Sequence, residues 1–186
     1  MKIPQIKTER LLITIPKAEE ACDILHYVND NRMFHKEWDP PRTADYFTKE
    51  YWYEILQQNH NDFMNGHSAK FFIFDVERKN IIGHCNFSCF VRGCFQCCNL
   101  GFSLAENAQG QGFMYEALSA AITYVFDNLK LHRIQSNHLP HNYRSRNLLR
   151  RLGFVVEGYA RDYLFINDGW QDHVLNSLSN PKITSI

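Results

Sequence analysis

The sequence has no excess of either charge and no long apolar segment. Lysine and arginine together number 20, as do aspartate and glutamate, so the formal net charge is zero. A neutral chain has no general attraction to nucleic acid or to an anionic membrane. No apolar run approaches the roughly 20 residues that cross a bilayer, and the start, MKIPQIKTERLLI, lacks the apolar core of a signal peptide. These absences predict a cytoplasmic protein with no membrane partner and no direct nucleic-acid site.

The sequence also lacks a complete metal-binding motif, although it contains six cysteines. Five of the six cysteines lie close together, at Cys85, Cys89, Cys94, Cys97 and Cys98. Without a secretion signal, we expect reduced thiols rather than disulfides. Cys94 and Cys97 have the C-x-x-C spacing of a zinc site, but a second pair with that spacing is missing. We therefore predict no metal, and expect these cysteines to be buried or half-buried strand residues.

Repeats, low-complexity tracts and evident linkers are also missing, and 186 residues fit one domain, 1–186. Helical and strand patterns alternate along the chain, which predicts a mixed α/β (α+β) fold. The first third is predicted to contain a strand at 10–16, a helix at 17–30, an irregular loop with two prolines at 31–43 and a helix at 43–65.

The rest of the chain predicts a sheet that is mostly antiparallel. Residues 69–104 read as three strands joined by short turns, the third at about 94–104, which indicates an antiparallel meander. The next predicted elements are a helix at 112–129, a strand at 131–139, a helix at 142–152 that ends at Gly153, and two strands around an Asn-Asp-Gly turn at 167–169. About four helices are therefore expected.

A glycine loop, AENAQGQGFMYEAL, joins the meander to the helix at 112–129. Gly110 and Gly112 let the backbone approach a ligand closely, and the helix that follows supplies free N–H groups and the positive end of its dipole. This combination binds phosphate. A dinucleotide fingerprint would need a third glycine where Tyr115 stands, and a Walker loop would need Gly-Lys-Ser or Gly-Lys-Thr. The loop is therefore predicted to be a pyrophosphate cradle of another kind.

Two motifs resemble those of the GNAT N-acetyltransferases. The run from Gln109 to Gly112 is similar to the start of their Q/R-x-x-G-x-G/A motif for acetyl-coenzyme A, with Met114 in place of the usual final Gly or Ala. NYRSRNLLRRLGF resembles their second signature, N-x-x-S ending in Gly-Phe. Longer stretches, including NDNRMFHKEWDPPR and ENAQGQGFMYEALSAAITYVF, are similar to the RimJ-type ribosomal-protein-alanine N-acetyltransferases. The resemblance covers nearly the whole chain.

The resemblance implies a single GNAT-type domain whose two central strands splay apart, with the cofactor, acetyl-coenzyme A, between them. The pyrophosphate would meet the glycine loop, and the pantetheine arm would meet the strand before it. One or two of Arg144, Arg146, Arg150 and Arg151 would meet the 3′-phosphate, with a solvated helix face as the alternative for each. The implied cofactor-binding residues are Leu100, Gly101, Phe102, Ser103, Leu104, Gln109, Gly110, Gln111, Gly112, Phe113, Met114, Asn142, Ser145 and Arg146.

The implied reaction is direct attack of a neutral amine on the thioester through a tetrahedral intermediate, with a backbone N–H near Phe102–Leu104 stabilising the oxyanion. Where many family members have a tyrosine acid and a glutamate base, this chain has Leu149 and Asn99. The candidate catalytic residues are therefore Ser145, beside the departing sulfur, and Glu116 and Glu157, as bases acting through water. A structural hydrogen bond is the alternative for both glutamates.

The missing acid and base favour an α-amine acceptor. Its pKa of about 8, against about 10.4 for lysine, leaves a useful neutral fraction near pH 7. The resemblance implies N-alpha-acetylation of the alanine terminus of a ribosomal protein, the fifth of the small subunit, met free, on the ribosome or on an assembly intermediate. Peptide contacts are expected from Phe34, Trp38, Tyr163 and Trp170, with packing as the alternative. A small-amine acetyltransferase and a cofactor-binding ribosome-assembly factor with little catalysis remain as alternatives.

Overall fold

The computed structural model describes residues 2–182. Within this range the strands are β1 (Gln5–Lys7), β2 (Leu11–Thr14), β3 (Ala69–Asp75), β4 (Ile81–Val91), β5 (Cys97–Leu104), β6 (Arg133–His138), β7 (Val155–Ile166) and β8 (Gly169–Ser179). The helices are α1 (Ala21–Asp30), α2 (Arg32–His35), α3 (Lys49–Met64), α4 (Phe113–Asp127) and α5 (Tyr143–Arg151). Short 3₁₀ helices lie at Ala18–Glu20, Ala44–Phe47 and Glu106–Ala108.

All eight strands belong to one sheet, in the order β1-β2-β3-β4-β5-β6-β8-β7. Every neighbouring pair is antiparallel except β5 and β6, which run parallel. The predicted meander is confirmed as β3-β4-β5, and the predicted closing hairpin is β7-β8. The sheet is therefore mixed and mostly antiparallel, as the sequence indicates.

The parallel pair separates after a short contact. Its register covers only Cys97 with Arg133, Cys98 with Ile134 and Asn99 with Gln135. Beyond this point β5 stays paired with β4 as far as Leu104, and β6 stays paired with β8 as far as His138. The expected splay between the two central strands is therefore confirmed, and each strand has one edge that faces the gap.

Helices cover both faces of the sheet, and β3 shows how the faces are assigned. Successive strand side chains point to opposite faces. Phe72 meets Tyr27 of α1 and Trp52 of α3 edge to face, whereas Phe71 meets Tyr124 of α4. The face covered by α1 and α3 is called the α1 face below, and the opposite one is called the α4 face.

The structure differs from the sequence prediction in the first third of the chain. The expected loop at 31–43 contains α2, and the expected helix at 43–65 is divided into a 3₁₀ turn and α3. The division falls at Thr48, whose extended backbone precedes α3 and whose hydroxyl accepts the N–H of Tyr51. Capping of this kind ends one element and begins the next. Strand β1 is missed because three residues are too few to show a period.

The cysteines match their prediction only in part. Cys85, Cys97 and Cys98 are buried strand residues, but Cys89 and Cys94 are exposed, so the expectation is wrong for those two. Cys94 is exposed because β5 begins at 97 rather than about 94, which leaves Cys94 in the preceding turn. Among residues 2–182, no group of three or more histidine, cysteine or acidic residues is placed to bind a metal. In the same range, no helix is long and apolar enough to cross a membrane.

Candidate active site

The glycine loop lies at the open end of the gap between β5 and β6. Gly110 and Gly112 have φ of +74° and +79°, a conformation that side chains other than glycine rarely adopt. Gly112 directly precedes α4, whose first N–H groups have no partner within the helix. Met114, the departure from the family motif, turns its side chain into the hydrophobic core and away from the loop. The loop therefore offers main-chain donors rather than side chains to an anion.

Side chains around the loop keep it in one conformation. Gln109 Nε2 donates to the carbonyl of Leu104 (3.0 Å), and Gln111 Nε2 donates to the carbonyl of Asn107 (3.0 Å). Arg10 Nη1 donates to the carbonyl of Gln111 (3.1 Å). These bonds engage carbonyl oxygens, which would repel an anion. The loop is thus ordered by its own contacts.

Only alternate residues of β5 present their main chain to the gap. The carbonyl of Leu100 accepts the Ser136 hydroxyl of β6 (2.9 Å), so its polar edge faces β6. Phe102 and Leu104 share that orientation because strand residues alternate. Gly101 and Ser103 turn their main chain towards β4 instead, and a Cβ on Gly83 of β4 would lie 2.4 Å from the Ser103 carbonyl. Of the five β5 residues predicted to bind the cofactor, only Leu100, Phe102 and Leu104 therefore turn their main-chain groups to the gap.

Glu116, a candidate base, joins α4 to the turn between β1 and β2. The Thr8 hydroxyl donates to Oε1 (2.6 Å), the Arg10 N–H donates to the same oxygen (3.0 Å), and Arg10 Nε donates to Oε2 (2.7 Å). Partial burial raises the pKa of this carboxyl group, but the bonds from Thr8 and Arg10 outweigh it and lower the pKa overall. These contacts match the structural alternative for Glu116.

Glu157, the other candidate base, lies away from the gap. It is an exposed residue of β7 that pairs with Arg133, at the end of β6 where the two central strands are still joined. Hydrogen bonds with Ser177 and Arg133 lower its pKa. The structure therefore does not bring Glu157 to the glycine loop or to the open part of the gap.

The second signature lies beside the open end of the gap, where β6 gives way to α5. Asn142 caps this helix, because its Oδ1 accepts the N–H of Ser145 (3.0 Å). Leu149, at the position of the family's usual tyrosine, is only 1% exposed and has no proton to give. Arg146 is exposed, and the Arg151 guanidinium lies 4.5 Å from the centre of the Tyr115 ring of α4.

A cavity of about 360 Å³ opens on the α1 face. Aromatic side chains form much of its wall, and five charged side chains lie around it. Its lining includes Tyr27, Tyr46, Phe47, Trp52, Phe72, Arg32, Lys36, Asp39, Arg42, Asp168, His35, His84, Pro40, Pro41 and Asn167. The α1–α3 connection and the β7–β8 turn, the two segments expected to contact a peptide, therefore both contribute to the lining of this cavity.

The four aromatic residues predicted to contact a peptide are not among the residues that line the cavity. Phe34 packs against His35, and Trp38 lies 5.8 Å from the His141 ring centre. The Tyr163 hydroxyl accepts from Asn137 (3.1 Å), and Trp170 packs on Phe165 with 62% of its surface exposed. Phe34, Trp38 and Tyr163 thus contact other side chains of the protein, whereas most of Trp170 is exposed, and residues close to them in the sequence line the cavity instead.

Two histidines that sequence reasoning missed lie between the cavity and β5. His84 Nε2 is 3.1 Å from Ser103 Oγ, and His35 Nε2 donates to the carbonyl of Leu104 (3.0 Å). Burial lowers the pKa of His84 to about 4, so this ring is neutral at pH 7. Each histidine is isolated in the sequence. Only the β4–β5 register and the path of α2 bring them to β5, so no local motif could have found them.

Comparison with known proteins agrees with this geometry. Residues 10–155 match the Acetyltransferase (GNAT) domain family. The chain is 41% identical over 184 residues to the [Ribosomal protein uS5]-alanine N-acetyltransferase of Escherichia coli (strain K12), covering 98% of this chain and 95% of that protein. A crystal structure of the ribosomal-protein-S5-alanine acetyltransferase from Vibrio fischeri superposes with a TM-score of 0.94 at 32% identity, covering 98% of this chain and all of that one (100%).

A more distant structure shows the same fold. Mycobacterium smegmatis RimJ in complex with CoA-disulfide gives a TM-score of 0.87 at 19% identity, covering 98% of this chain and 89% of that one. The match to the domain family takes in the glycine loop, the splayed strands and the second signature. The sequence and the fold thus lead to the same conclusion, and the chain belongs to the GNAT acetyltransferase family.

Proposed function

We propose that this chain is an acetyl-coenzyme A-dependent N-alpha-acetyltransferase that acts on the amino-terminal alanine of ribosomal protein uS5. One observation carries the proposal: the free edge of β5 lies between a main-chain anion cradle at the start of α4 and a cavity on the α1 face. The relative that is 41% identical over 98% of this chain carries that activity in its name. We place the reaction in the cytoplasm, with uS5 met free, on the ribosome or on an assembly intermediate.

The residues around the gap fit acetyl-coenzyme A. Its pyrophosphate would meet N–H groups between Gln109 and Met114, where the positive φ of two glycines turns the main chain outward. Its pantetheine arm would lie along the free edge of β5, and Asn142, Ser145 and Arg146 would approach it from α5. The bound cofactor supplies an acetyl group already activated as a thioester.

Phe102 is the best-placed main-chain donor for the thioester oxygen. The Leu100 carbonyl accepts Ser136, and the Leu104 carbonyl accepts His35 and Gln109, so both residues turn their main-chain groups to the edge that faces the gap. Phe102 lies midway between these two residues with its polar edge towards the gap. An N–H fixed in a sheet can stabilise developing negative charge without reorganising, which is the role of an oxyanion hole.

The cavity favours a peptide over a polyamine. Its charged lining consists of Arg32, Lys36 and Arg42 against Asp39 and Asp168, so cationic side chains outnumber acidic ones. Asp39 is in addition within 3.3 Å of Arg42. A polyamine would require an excess of carboxylates, whereas a peptide's α-amine has one charge and, with a pKa of about 8, is partly neutral near pH 7. This cavity therefore lacks the excess of carboxylates that the small-amine alternative would need there.

The alternative of an assembly factor with little catalysis is disfavoured by the same cavity. A protein that only bound the cofactor would need no opening on the α1 face, yet the cavity reaches His84, which contacts Ser103 of β5. Glu116 and Glu157, the candidate bases, are in ion pairs with Arg10 and Arg133, so an ordered water or solvent would take the proton from the amine.

The test uses labelled acetyl-coenzyme A and short peptides that differ only in residue one, with spermidine and free lysine as competitors. We expect the peptide with the uS5 sequence and alanine first to be acetylated fastest, with the label on its α-amine. Faster labelling of spermidine or of a lysine side chain would contradict the proposal. Labelling of purified uS5 and of small ribosomal subunits, compared at equal concentration, distinguishes a free target from an assembled one.

A further inference from the structure

Four polar side chains form a cluster between the cavity and β5. We call Tyr27, His84, Asn86 and Ser103 the inner cluster. Tyr27 and His84 line the cavity, Ser103 belongs to β5, and Asn86 is beside His84 on β4. His84 is directly opposite Ser103 in the β4–β5 register, so both side chains lie on the α1 face. The cluster therefore connects the cavity to the strand that faces the cofactor.

Hydrogen bonds determine where the protons of this cluster lie. Asn86 Nδ2 is 3.4 Å from His84 Nδ1. In the amide orientation of the structure, the Asn86 nitrogen donates to Nδ1, and the ring proton is then assigned to Nε2. Nε2 then donates to Ser103 Oγ, 3.1 Å away. This leaves the serine hydroxyl with its own proton and one further lone pair for a ligand.

Tyr27 and Asn86 each contribute a buried oxygen without a hydrogen-bond partner among residues 2–182, and the Tyr27 hydroxyl is the one that borders the cavity. The Tyr27 side chain is 6% exposed, and among residues 2–182 its hydroxyl makes no hydrogen bond of normal length and angle, although Ser103 comes near enough to lower its pKa in part. Burial raises its pKa, so the hydroxyl keeps its proton. A buried hydroxyl without a partner costs free energy, and a bound ligand at this point would recover that cost.

We propose that the Ser103 hydroxyl binds the amino group of the acceptor and that His84 positions this hydroxyl. This inference rests on the proposed function, because it requires an amine to enter the cavity. Phe102 and Ser103 are consecutive residues of β5, so the N–H of Phe102 faces the gap while the side chain of Ser103 lies on the α1 face, beside His84 of the cavity wall. The group that would hold the thioester oxygen and the group that would hold the amine thus belong to neighbouring residues, one strand rise of about 3.3 Å apart.

The chemistry of the inner cluster suits a nucleophile. All four side chains are uncharged at neutral pH. A carboxylate next to the amine would stabilise its ammonium form and raise its pKa, which would remove the lone pair that attacks. Neutral oxygens orient the amine without that penalty.

The charged and titratable groups that act on His84 are Asp39, which raises its pKa, and His35 and Arg42, which lower it. Burial is the largest cause of the shift, and it leaves the pKa at about 4. His84 is therefore neutral throughout the range in which an α-amine titrates, near pH 8. The pH dependence of the reaction should accordingly follow the amine and not this histidine.

The test compares Ser103→Ala, His84→Ala and His84→Gln in the full chain. With an alanine peptide, we expect kcat/KM to fall about 10- to 100-fold in Ser103→Ala and somewhat less in His84→Ala, since one buried hydrogen bond is lost. His84→Gln, which keeps an N–H donor, should recover most of the loss. The Kd for acetyl-coenzyme A, measured by calorimetry, should stay within about twofold, and the pH midpoint should not move. Ser119→Ala, a half-buried serine of α4 that bonds only within its helix, is the control.

The outcomes separate the inference from the proposed function. If the wild-type chain does not acetylate the peptide, the proposed function fails, and the variants are then assayed with the best acceptor of the panel. An unchanged kcat/KM in Ser103→Ala would overturn the inference with any acceptor. An equal loss of acetyl-coenzyme A binding would overturn it as well, because Ser103 would then serve the cofactor. Failure of His84→Gln to recover activity would remove the positioning role of His84.

Discussion

The two sides of β5 are built from different parts of the chain. On the α4 face the ligand groups are main-chain N–H groups from one continuous segment, and their positions depend on backbone dihedral angles. On the α1 face they are side chains from β4, β5, α1 and the connection after it, and their positions depend on strand register. Changes on the first side should therefore act through conformation, and changes on the second through side-chain chemistry.

The largest effect is expected for Gly112→Val. Valine at φ of +79° is strained, and relief of the strain would turn the N–H groups of the loop away from the pyrophosphate. We expect the Kd for acetyl-coenzyme A to rise about 100-fold, by loss of several charge-assisted hydrogen bonds. Gly66→Val is the matched control, because Gly66 has φ of +72° and open space where a β-carbon would lie. It should lower stability and leave cofactor binding unchanged. Equal weakening in both variants would show that strain alone is responsible.

The next effect concerns the cavity wall. Phe47 lines the cavity, and the Arg32 guanidinium lies 3.9 Å from its ring centre. Phe47→Ala removes that surface, so the KM for the alanine peptide should rise about tenfold, the range expected for an aromatic contact. Trp170→Ala, which removes an exposed ring outside the cavity, should change KM by less than about twofold. The KM for the peptide is measured for both variants at saturating acetyl-coenzyme A. A larger rise in Trp170→Ala than in Phe47→Ala would indicate that the peptide binds at the β7–β8 hairpin instead.

Glu116→Gln should affect stability more than turnover. We expect the free energy of unfolding to fall by about 1 kcal/mol, because the charge-assisted bonds to Arg10 and Thr8 are weakened. The folded-state pKa of Glu116 is lowered, so its contribution is present above the usual value of 4.5 and is lost as the pH falls through the folded value. The free energy of unfolding, measured with urea, should therefore differ less between wild type and variant as the pH falls below 4.5. A large loss of kcat with unchanged stability would restore Glu116 as a base.

The smallest effect is expected for Lys36→Glu, which gives the cavity an acidic majority. The change should raise acetylation of spermidine two- to threefold and lower that of an alanine peptide little, since exposed charges are screened. Lys36→Gln separates loss of the cation from gain of the carboxylate. No change in the spermidine rate would mean that the charges of the cavity do not select the acceptor.

The same contrast between the faces explains what the sequence could predict. The cradle is contiguous, so Gly110, Gly112 and the start of α4 can be recognised from local spacing, and the meander follows from strand alternation. The inner cluster combines residues 76 positions apart, Tyr27 and Ser103, and depends on a register that no local pattern contains. The roles of Glu116 and Glu157 could not be predicted for a similar reason. Each carboxylate forms an ion pair with an arginine that is distant in sequence, Arg10 and Arg133, and only the fold brings the partners together.

The opposite positions of cradle and cavity also have a kinetic consequence. If the two substrates approach β5 from different faces, neither obstructs the entrance of the other, and both must be present before acetyl transfer. Initial rates measured at several fixed peptide concentrations should then give intersecting double-reciprocal lines. Parallel lines would instead signify an acetylated enzyme, with release of coenzyme A before the peptide arrives.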